Sequence, residues 1–267
     1  MKHYKAYAKV NIFLKITGIR GGYHEIISRF MRVDSLYDEL SFMPKQSGED
    51  FEIIGSFSCE TKQNTIYKAY VALLDSLKPE QAHSLEQLMQ KYGVAVVKNI
   101  PAFAGLGGGS SDAATFLKMC NEVLHLGLSQ NTLASIGVKV GADVAFFVYG
   151  YKSANVSGIG EVVEEFKEEP LDIEVFTPSI EISTPKVYGV YRESFYNPID
   201  GFKVKRLKKT TSLEILKNMS AHEANDLFKP ALEVYKELKN HYKQGYYFSG
   251  SGSSFFRARE RIVEKNG

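Results

Sequence analysis

Three features of the chain could do chemistry together. The first is "PAFAGLGGGSSDAATF", from Pro101 to Phe116, where Gly105, Gly107, Gly108 and Gly109 fall within five positions and Ser110 and Ser111 follow. Glycine has no Cβ, so backbone N–H groups there can come close to a ligand. The helix-like pattern behind the loop adds free N–H donors and roughly half a positive charge. Strand, glycine loop and helix start in that order form an anion site suited to phosphate. Ser110 or Ser111 can cap the helix, and either hydroxyl can reach a phosphate or its metal. The second feature is Asp143, a carboxylate in the apolar setting "GADVAFFV". Such a group is either hydrogen-bonded inside the fold or aimed into a cleft. The third is Lys9, within the first strand-like run. A carboxylate can accept a hydroxyl proton, and a lysine can neutralise charge near a phosphate or hold the hydroxyl's pKa down. With a phosphate cradle these are the parts of phosphoryl transfer. Taken singly, each has a plainer reading: a mobile turn with a serine cap, a structural carboxylate, a solvated strand lysine.

Two common phosphate patterns do not fit. G-x-x-x-x-G-K-[ST] is absent, because no Gly-Lys pair occurs in the chain. G-x-G-x-x-G fails at Ser110 when counted from Gly105 and at Asp112 when counted from Gly107.

The surrounding pattern predicts the elements that must hold these residues. From Tyr4 to Thr17 apolar and other residues alternate, which predicts a strand with one buried face and Lys9 and Asn11 on the other. "GIRGG" (18–22) reads as a turn. Strand-like runs follow near 26–33, 38–43 and 51–57. A helix is expected over 64–77 with Asn64 as its N-cap, and a strand over 92–100 leads into the glycine loop. Ala113, Ala114, Leu117, Cys120 and Leu124 have helical spacing across 110–124, and a short helix follows near 129–137. Residues 141–150 read as a turn entering a buried strand. Beyond them come strands near 151–156, 161–166 and 171–177, helices near 185–195, 211–219 and 221–243, and a hairpin-like unit at 246–258. The mix of elements suggests a domain boundary near 150.

Composition narrows the function classes. The 267 residues are 44% hydrophobic and 24% charged with a net charge of +2, which fits a globular protein with a sizeable core. The charge is too small, and basic residues too dispersed, to suggest nucleic acid or an anionic membrane. Two cysteines, Cys59 and Cys120, make neither a disulfide framework nor a metal cluster and suit a reducing cytoplasm. Lysines at 2, 5, 9 and 15 interrupt the N-terminal apolar pattern, so a signal peptide is not expected. No apolar run approaches the roughly 18 residues of a membrane span.

The loop "PAFAGLGGGSSDAA" resembles the phosphate loop of the GHMP kinases, named for galactokinase, homoserine kinase, mevalonate kinase and phosphomevalonate kinase. "AKVNIFLKITGIRGGYHEI" (8–26), "GLGGGSSDAA" (105–114), "GADVAFFV" (141–148) and "SGSGSSFF" (249–256) resemble, in that order, the branch whose acceptor is a cytidine diphosphate ester of methylerythritol, an intermediate of the non-mevalonate route to isoprenoids. The resemblance implies an α+β fold of two lobes, 1–150 and 151–267, with the site in the cleft between them, and phosphorylation of the acceptor's 2-hydroxyl by ATP with Mg²⁺. It implies Asp143 as general base and Lys9 as its charged partner. Pro101, Ala102, Phe103, Ala104, Gly105, Leu106, Gly107, Gly108, Gly109, Ser110 and Ser111 would cradle the ATP phosphates, with Ser111 a candidate Mg²⁺ ligand. Asn11, Tyr23 and His24 would contact the cytidine, Tyr23 stacking on the base and His24 reading its polar edge, with Tyr188 as the second wall. Gly250 and Gly252 match a third motif that packs near the loop. Asn225 and Asp226 are expected to cap or brace the following helix. Two departures stand out: Ala145 where many members carry proline, which puts the turn holding Asp143 in question, and Tyr188 where phenylalanine is frequent. A small molecule is the only partner implied, and the chain would be a monomer or homodimer. A kinase for a small alcohol without a nucleotide, and a nucleotide-binding module without catalysis, are the competing readings; Tyr23, His24 and Tyr188 argue against the first, and the presence of both Lys9 and Asp143 against the second.

Overall fold

The structure, a computed structural model, describes residues 2–259. The first expected strand forms as β1 (Tyr4–Arg20) and turns through Gly21 and Gly22 into β2 (Tyr23–Pro44). The two runs expected near 26–33 and 38–43 are one long strand, because different stretches of β2 pair with different neighbours. Residues 39–44 pair with β4 (Tyr92–Val97), and residues 26–31 pair with β5 (Ser153–Gly158). The run at 51–57 contributes only β3 (Ile53–Ile54), parallel to β4, and β6 (Val162–Glu165) closes the other edge against β5. The larger sheet therefore runs past residue 150 to Glu165. A smaller sheet has the order β7–β9–β8, from β7 (Ile173–Phe176), β8 (Tyr247–Phe248) and β9 (Phe255–Ala258).

Helices cover one face of the larger sheet. These are α1 (Thr65–Leu74), α2 (Pro79–Lys91), α3 (Gly108–Val123), α4 (Gln130–Val138) and α5 (Val144–Tyr149). Ile66, Leu73, Phe116, Leu117 and Phe146 join Phe30, Val94 and Val156 in one core. Asn64 caps α1 as expected, its side chain accepting from the Ile66 N–H at 2.9 Å. On the other face Ala8, Val10, Ile12, Ile27 and Met31 pack with Ile173, Ile215 and Phe256 from the C-terminal part. That part carries α6 (Thr184–Val190), a π-helical turn (Tyr191–Phe195), α7 (Gly201–Lys209), α8 (Ser212–Asn218), α9 (Ala221–Ala224) and α10 (Phe228–Val234).

Several sequence expectations change. The strand expected within 141–150 is α5. "VAFFVY" is apolar throughout, so it has no period to separate a buried strand from a buried helix; enclosed between α3 and α4 it is helical, with Val144 to Val148 all buried. The helix expected over 221–243 is broken into α9, α10 and a 3₁₀ turn at Lys236–Asn240. Helices α2 and α7 were not expected. β1 buries both faces from Ala8 to Leu14, Lys9 and Asn11 included. Helix α3 begins two residues earlier than expected, and its cap is Gly107 rather than Ser110 or Ser111.

Candidate active site

The glycine loop becomes a cradle because three elements press on it. The Lys9 N–H on β1 donates to the Leu106 carbonyl at 3.0 Å, and Ser254 N–H donates to the Ala104 carbonyl at 3.1 Å. The Ser249 hydroxyl donates to the Gly105 carbonyl at 3.0 Å. At Gly105, with φ +73°, a Cβ would lie 2.1 Å from the Ser249 carbonyl oxygen, so only glycine permits this contact between the loop and the SGSGSS turn. Asn225 holds that turn from behind, its amide donating to the Phe248 carbonyl at 2.9 Å and the Gly250 carbonyl at 2.8 Å, while its Oδ1 accepts from the Leu227 N–H. Asn225 thus braces the third motif as well as the following helix; the Asp226 carboxylate accepts instead from Lys15 and from the Ile16 N–H on β1. Gly107 takes φ +74° as the cap of α3, and a Cβ there would strike Phe147 at 2.8 Å. With the cap at Gly107, the free N–H groups of the first helical turn belong to Gly108, Gly109 and Ser110.

In front of this loop lies a cavity of about 920 Å³ lined by residues 101–110 together with Phe57, Asn64, Lys98 and Asp112. Pro101, Ala102 and Phe103 are its exposed rim, whereas Ala104 and Leu106 are buried beneath it. Ser110 lines the cavity; Ser111, 1% exposed, lies behind it. Sequence reasoning passed over Lys98 and Asp112. Lys98 bridges Asp38 and the Asp112 Oδ2, the latter at 2.7 Å. Burial pushes the Asp112 carboxyl up, with Lys98 pulling against it. Its Oδ1 has no partner among the described residues and is an unused acceptor at the cavity wall. The available signal was a lysine three residues before Pro101, at the exit of a strand aimed at the loop.

Lys9 and Asp143 meet at this cradle. The Lys9 ammonium is 3.5 Å from the Asp143 carboxylate, donates to the Gly105 carbonyl at 3.2 Å and to the Asn11 Oδ1 at 2.7 Å, and sits 4.5 Å over the Phe30 ring. Only 3% of Lys9 is exposed. Burial lowers its pKa from 10.5, opposed by the Asp143 charge. Asp143 occupies the cap position of α5 without spending its side chain on the cap, so the carboxylate stays available, 32% exposed. The turn that presents it is closed by the Val144 N–H donating to the Gly141 carbonyl at 3.1 Å, with Ala145 buried in the first turn of α5. Asn11 also donates to Ser28 at 2.9 Å, so its amide is committed to holding Lys9.

Tyr23, His24 and Tyr188 come together in a second cavity of about 590 Å³, which Asn11 does not line. The rings of His24 and Tyr188 are 4.9 Å apart, and Tyr191 meets His24 edge-on at 5.7 Å. Tyr23 is 67% exposed at the hairpin tip. Burial and the Arg192 charge lower the His24 pKa from 6.5, so the ring is neutral near pH 7, and its buried Nε2 has no partner among the described residues. Burial and the Asp143 charge raise the Tyr188 hydroxyl pKa above its usual value. Among the described residues no three His, Cys, Asp or Glu side chains gather as a metal cage, and no helix is long and apolar enough to cross a membrane.

Comparison with known proteins gives the family. The family model for the GHMP kinases N terminal domain matches residues 64–151. The 4-diphosphocytidyl-2-C-methyl-D-erythritol kinase of Sulfurimonas denitrificans is 76% identical over 261 residues, covering 98% of each chain, and that of a Sulfurovum species is 45% identical, covering 96% of this chain and 98% of the relative. A crystal structure of 4-(cytidine 5'-diphospho)-2C-methyl-D-erythritol kinase superposes with a TM-score of 0.73 at 30% identity, covering 97% of this chain and 90% of the other. A mevalonate kinase structure, 14% identical with a TM-score of 0.59 over 97% of this chain and 92% of its own, shares the fold. The chain belongs to the GHMP kinase family and has its mixed α+β fold.

Proposed function

We propose that this chain is a 4-diphosphocytidyl-2-C-methyl-D-erythritol kinase, which moves the terminal phosphoryl group of ATP onto the 2-hydroxyl of that cytidine diphosphate ester. The observation that carries the reading is the buried Lys9 ammonium, held between the Asp143 carboxylate and the Gly105 carbonyl of the cradle. In this reading Asp143 accepts the proton of the attacking hydroxyl. Lys9 pairs with that carboxylate at 3.5 Å and offsets negative charge as the oxygen approaches the phosphate. The N–H groups of Gly108, Gly109 and Ser110 take the phosphate oxygens, and the remainder of residues 101–111 shapes the cradle. Positioning and fixed charge of this kind supply most of the catalysis in phosphoryl transfer.

Cytosine would lie between Tyr23 and Tyr188, with the neutral His24 ring meeting its polar edge through the unpartnered Nε2. That buried group discriminates against acceptors that leave it unpaired. Mg²⁺ requires oxygen ligands, most of them from phosphates and water. The Ser110 hydroxyl on the cavity wall suits it, whereas Ser111 is buried behind the loop. Bound Mg²⁺ would neutralise and orient the ATP phosphates. The two-lobe division at 150 belongs to the same proposal, with β5 and β6 continuing the first lobe's sheet. So do a cytoplasmic location and a monomer or homodimer.

The test is ADP release with ATP, Mg²⁺ and the cytidine ester, comparing the natural protein with Asp143→Asn. Loss of the base should lower kcat by about 10²–10⁴ with little change in either KM. Turnover untouched in Asp143→Asn would remove the assigned base, and no turnover in the natural protein would remove the substrate.

A further inference from the structure

Apart from Ile159, the base pocket is lined by two pieces of chain that lie far apart in sequence. One is the β1–β2 hairpin tip with Gly22, Tyr23 and His24; the other is α6 and the π-helical turn, with Tyr188, Tyr191 and Arg192. His24 is fixed by its rings' contacts with Tyr188 and Tyr191. The tip itself is not packed. A Cβ placed on Gly21 or Gly22 would meet nothing within 4 Å, and both residues have positive φ, +56° and +87°. Arg20, the β1 partner of Tyr23, ties the base of the turn to Glu25 and Glu161, but Tyr23 itself stands out from the glycine pair beyond it. One side chain reaches that pair across the pocket: the Arg192 Nη2 donates to the Gly22 carbonyl at 2.6 Å. Among the described residues this is the one hydrogen bond that guanidinium makes, and its other N–H groups remain unspent beside the cavity.

We infer that Arg192 is a positioning residue, a strap that holds the hairpin tip so that Tyr23 faces Tyr188 before the base arrives. This rests on the proposed use of the pocket for a cytidine diphosphate. A base enters a two-walled slot with less loss of conformational freedom when both walls are already fixed. A two-residue Gly-Gly turn fixes its own direction poorly. A guanidinium can restrain it with a charge-assisted hydrogen bond while leaving donors free. Arg192 lies in a π-helical turn, a distortion frequently found at functional sites.

The experiment measures cytidine 5'-diphosphate binding by calorimetry, and kcat and KM for both substrates, on the full chain and its Arg192→Met and Arg192→Lys variants. Met keeps the length of the stem and removes the donors and the charge. The strap predicts that Arg192→Met binds cytidine 5'-diphosphate about tenfold more weakly, as expected for one charged hydrogen bond. It predicts kcat and the KM for ATP within about twofold of the natural protein. Arg192→Lys, which retains one donor and the charge, should recover to within about threefold of the natural affinity. Unchanged affinity in Arg192→Met overturns the strap, as does an equal loss in kcat and ATP binding, which marks general damage. If the natural protein turns over the cytidine ester while Arg192→Met binds the nucleotide normally, the strap alone fails. If the natural protein does not bind cytidine 5'-diphosphate, the base-pocket reading fails with it.

Discussion

The phosphate half and the base half of the cleft are built on opposite plans. Around the phosphate loop the polar groups that shape the cradle are already engaged, and among the described residues the first-turn N–H groups of α3 and the Asp112 Oδ1 are left open toward the cavity. Lys9 is locked among Asp143, Asn11 and Gly105, the SGSGSS turn is clamped onto Gly105, and Asn225 clamps the turn. Around the base pocket the hairpin tip is open, Tyr23 is exposed, and the His24 Nε2 is unsatisfied. The difference follows from what each half must do. Charge developing in a transition state is stabilised by donors that do not have to reorganise. A pocket that selects a base must let the base in and leave a polar group to be satisfied only by the right one.

Substitutions at glycine break the comparison most sharply. Gly105→Ala would drive a Cβ to 2.1 Å from the Ser249 carbonyl at a positive φ. It should cost about 3 kcal/mol or more, seen as a drop of about 10 °C in Tm together with lost ATP binding. Tyr23→Ala tests the open half. It should raise the KM for the cytidine ester by about 10- to 100-fold, the worth of one base–aromatic stack, and leave the KM for ATP alone. A lowered KM for ATP or a lost kcat there would mean that the halves are not separate.

The pH profile sharpens the closed half. Burial lowers the Lys9 pKa from 10.5. The ammonium is the useful form, so activity should fall as pH rises through that lowered pKa, with an alkaline midpoint below 10.5. In Lys9→Arg, which stays charged, the alkaline limb should vanish whatever the absolute rate. Gly22→Ala should have the smallest effect. Its φ is positive but its surroundings are empty, so the cost is about 1 kcal/mol of backbone strain, read as a Tm change of about 2–4 °C.

The sequence revealed local devices better than distant ones. Asn64 announces α1 because its side chain bonds to the backbone two residues on. The cradle was legible because glycines cluster where backbone must approach a ligand. Helix α5 was not legible, since an apolar run buried on every side carries no period. The cap of α3 was misplaced because Gly107 does the work of a serine through its left-handed conformation. Lys9 and Asp143 were legible as chemistry, but their separation of 3.5 Å is a product of the fold. The contact of Arg192 with Gly22 joins residues 170 positions apart and leaves no local pattern.

The most direct measurement is acceptor choice. Initial rates of ATP-dependent phosphorylation are compared for 4-diphosphocytidyl-2-C-methyl-D-erythritol and for 2-C-methyl-D-erythritol 4-phosphate, which presents the same polyol without the base. The account predicts a kcat/KM at least about a hundredfold higher for the cytidine ester. Equal kcat/KM for the two acceptors would contradict it, leaving the phosphate half as described and the base half without its function.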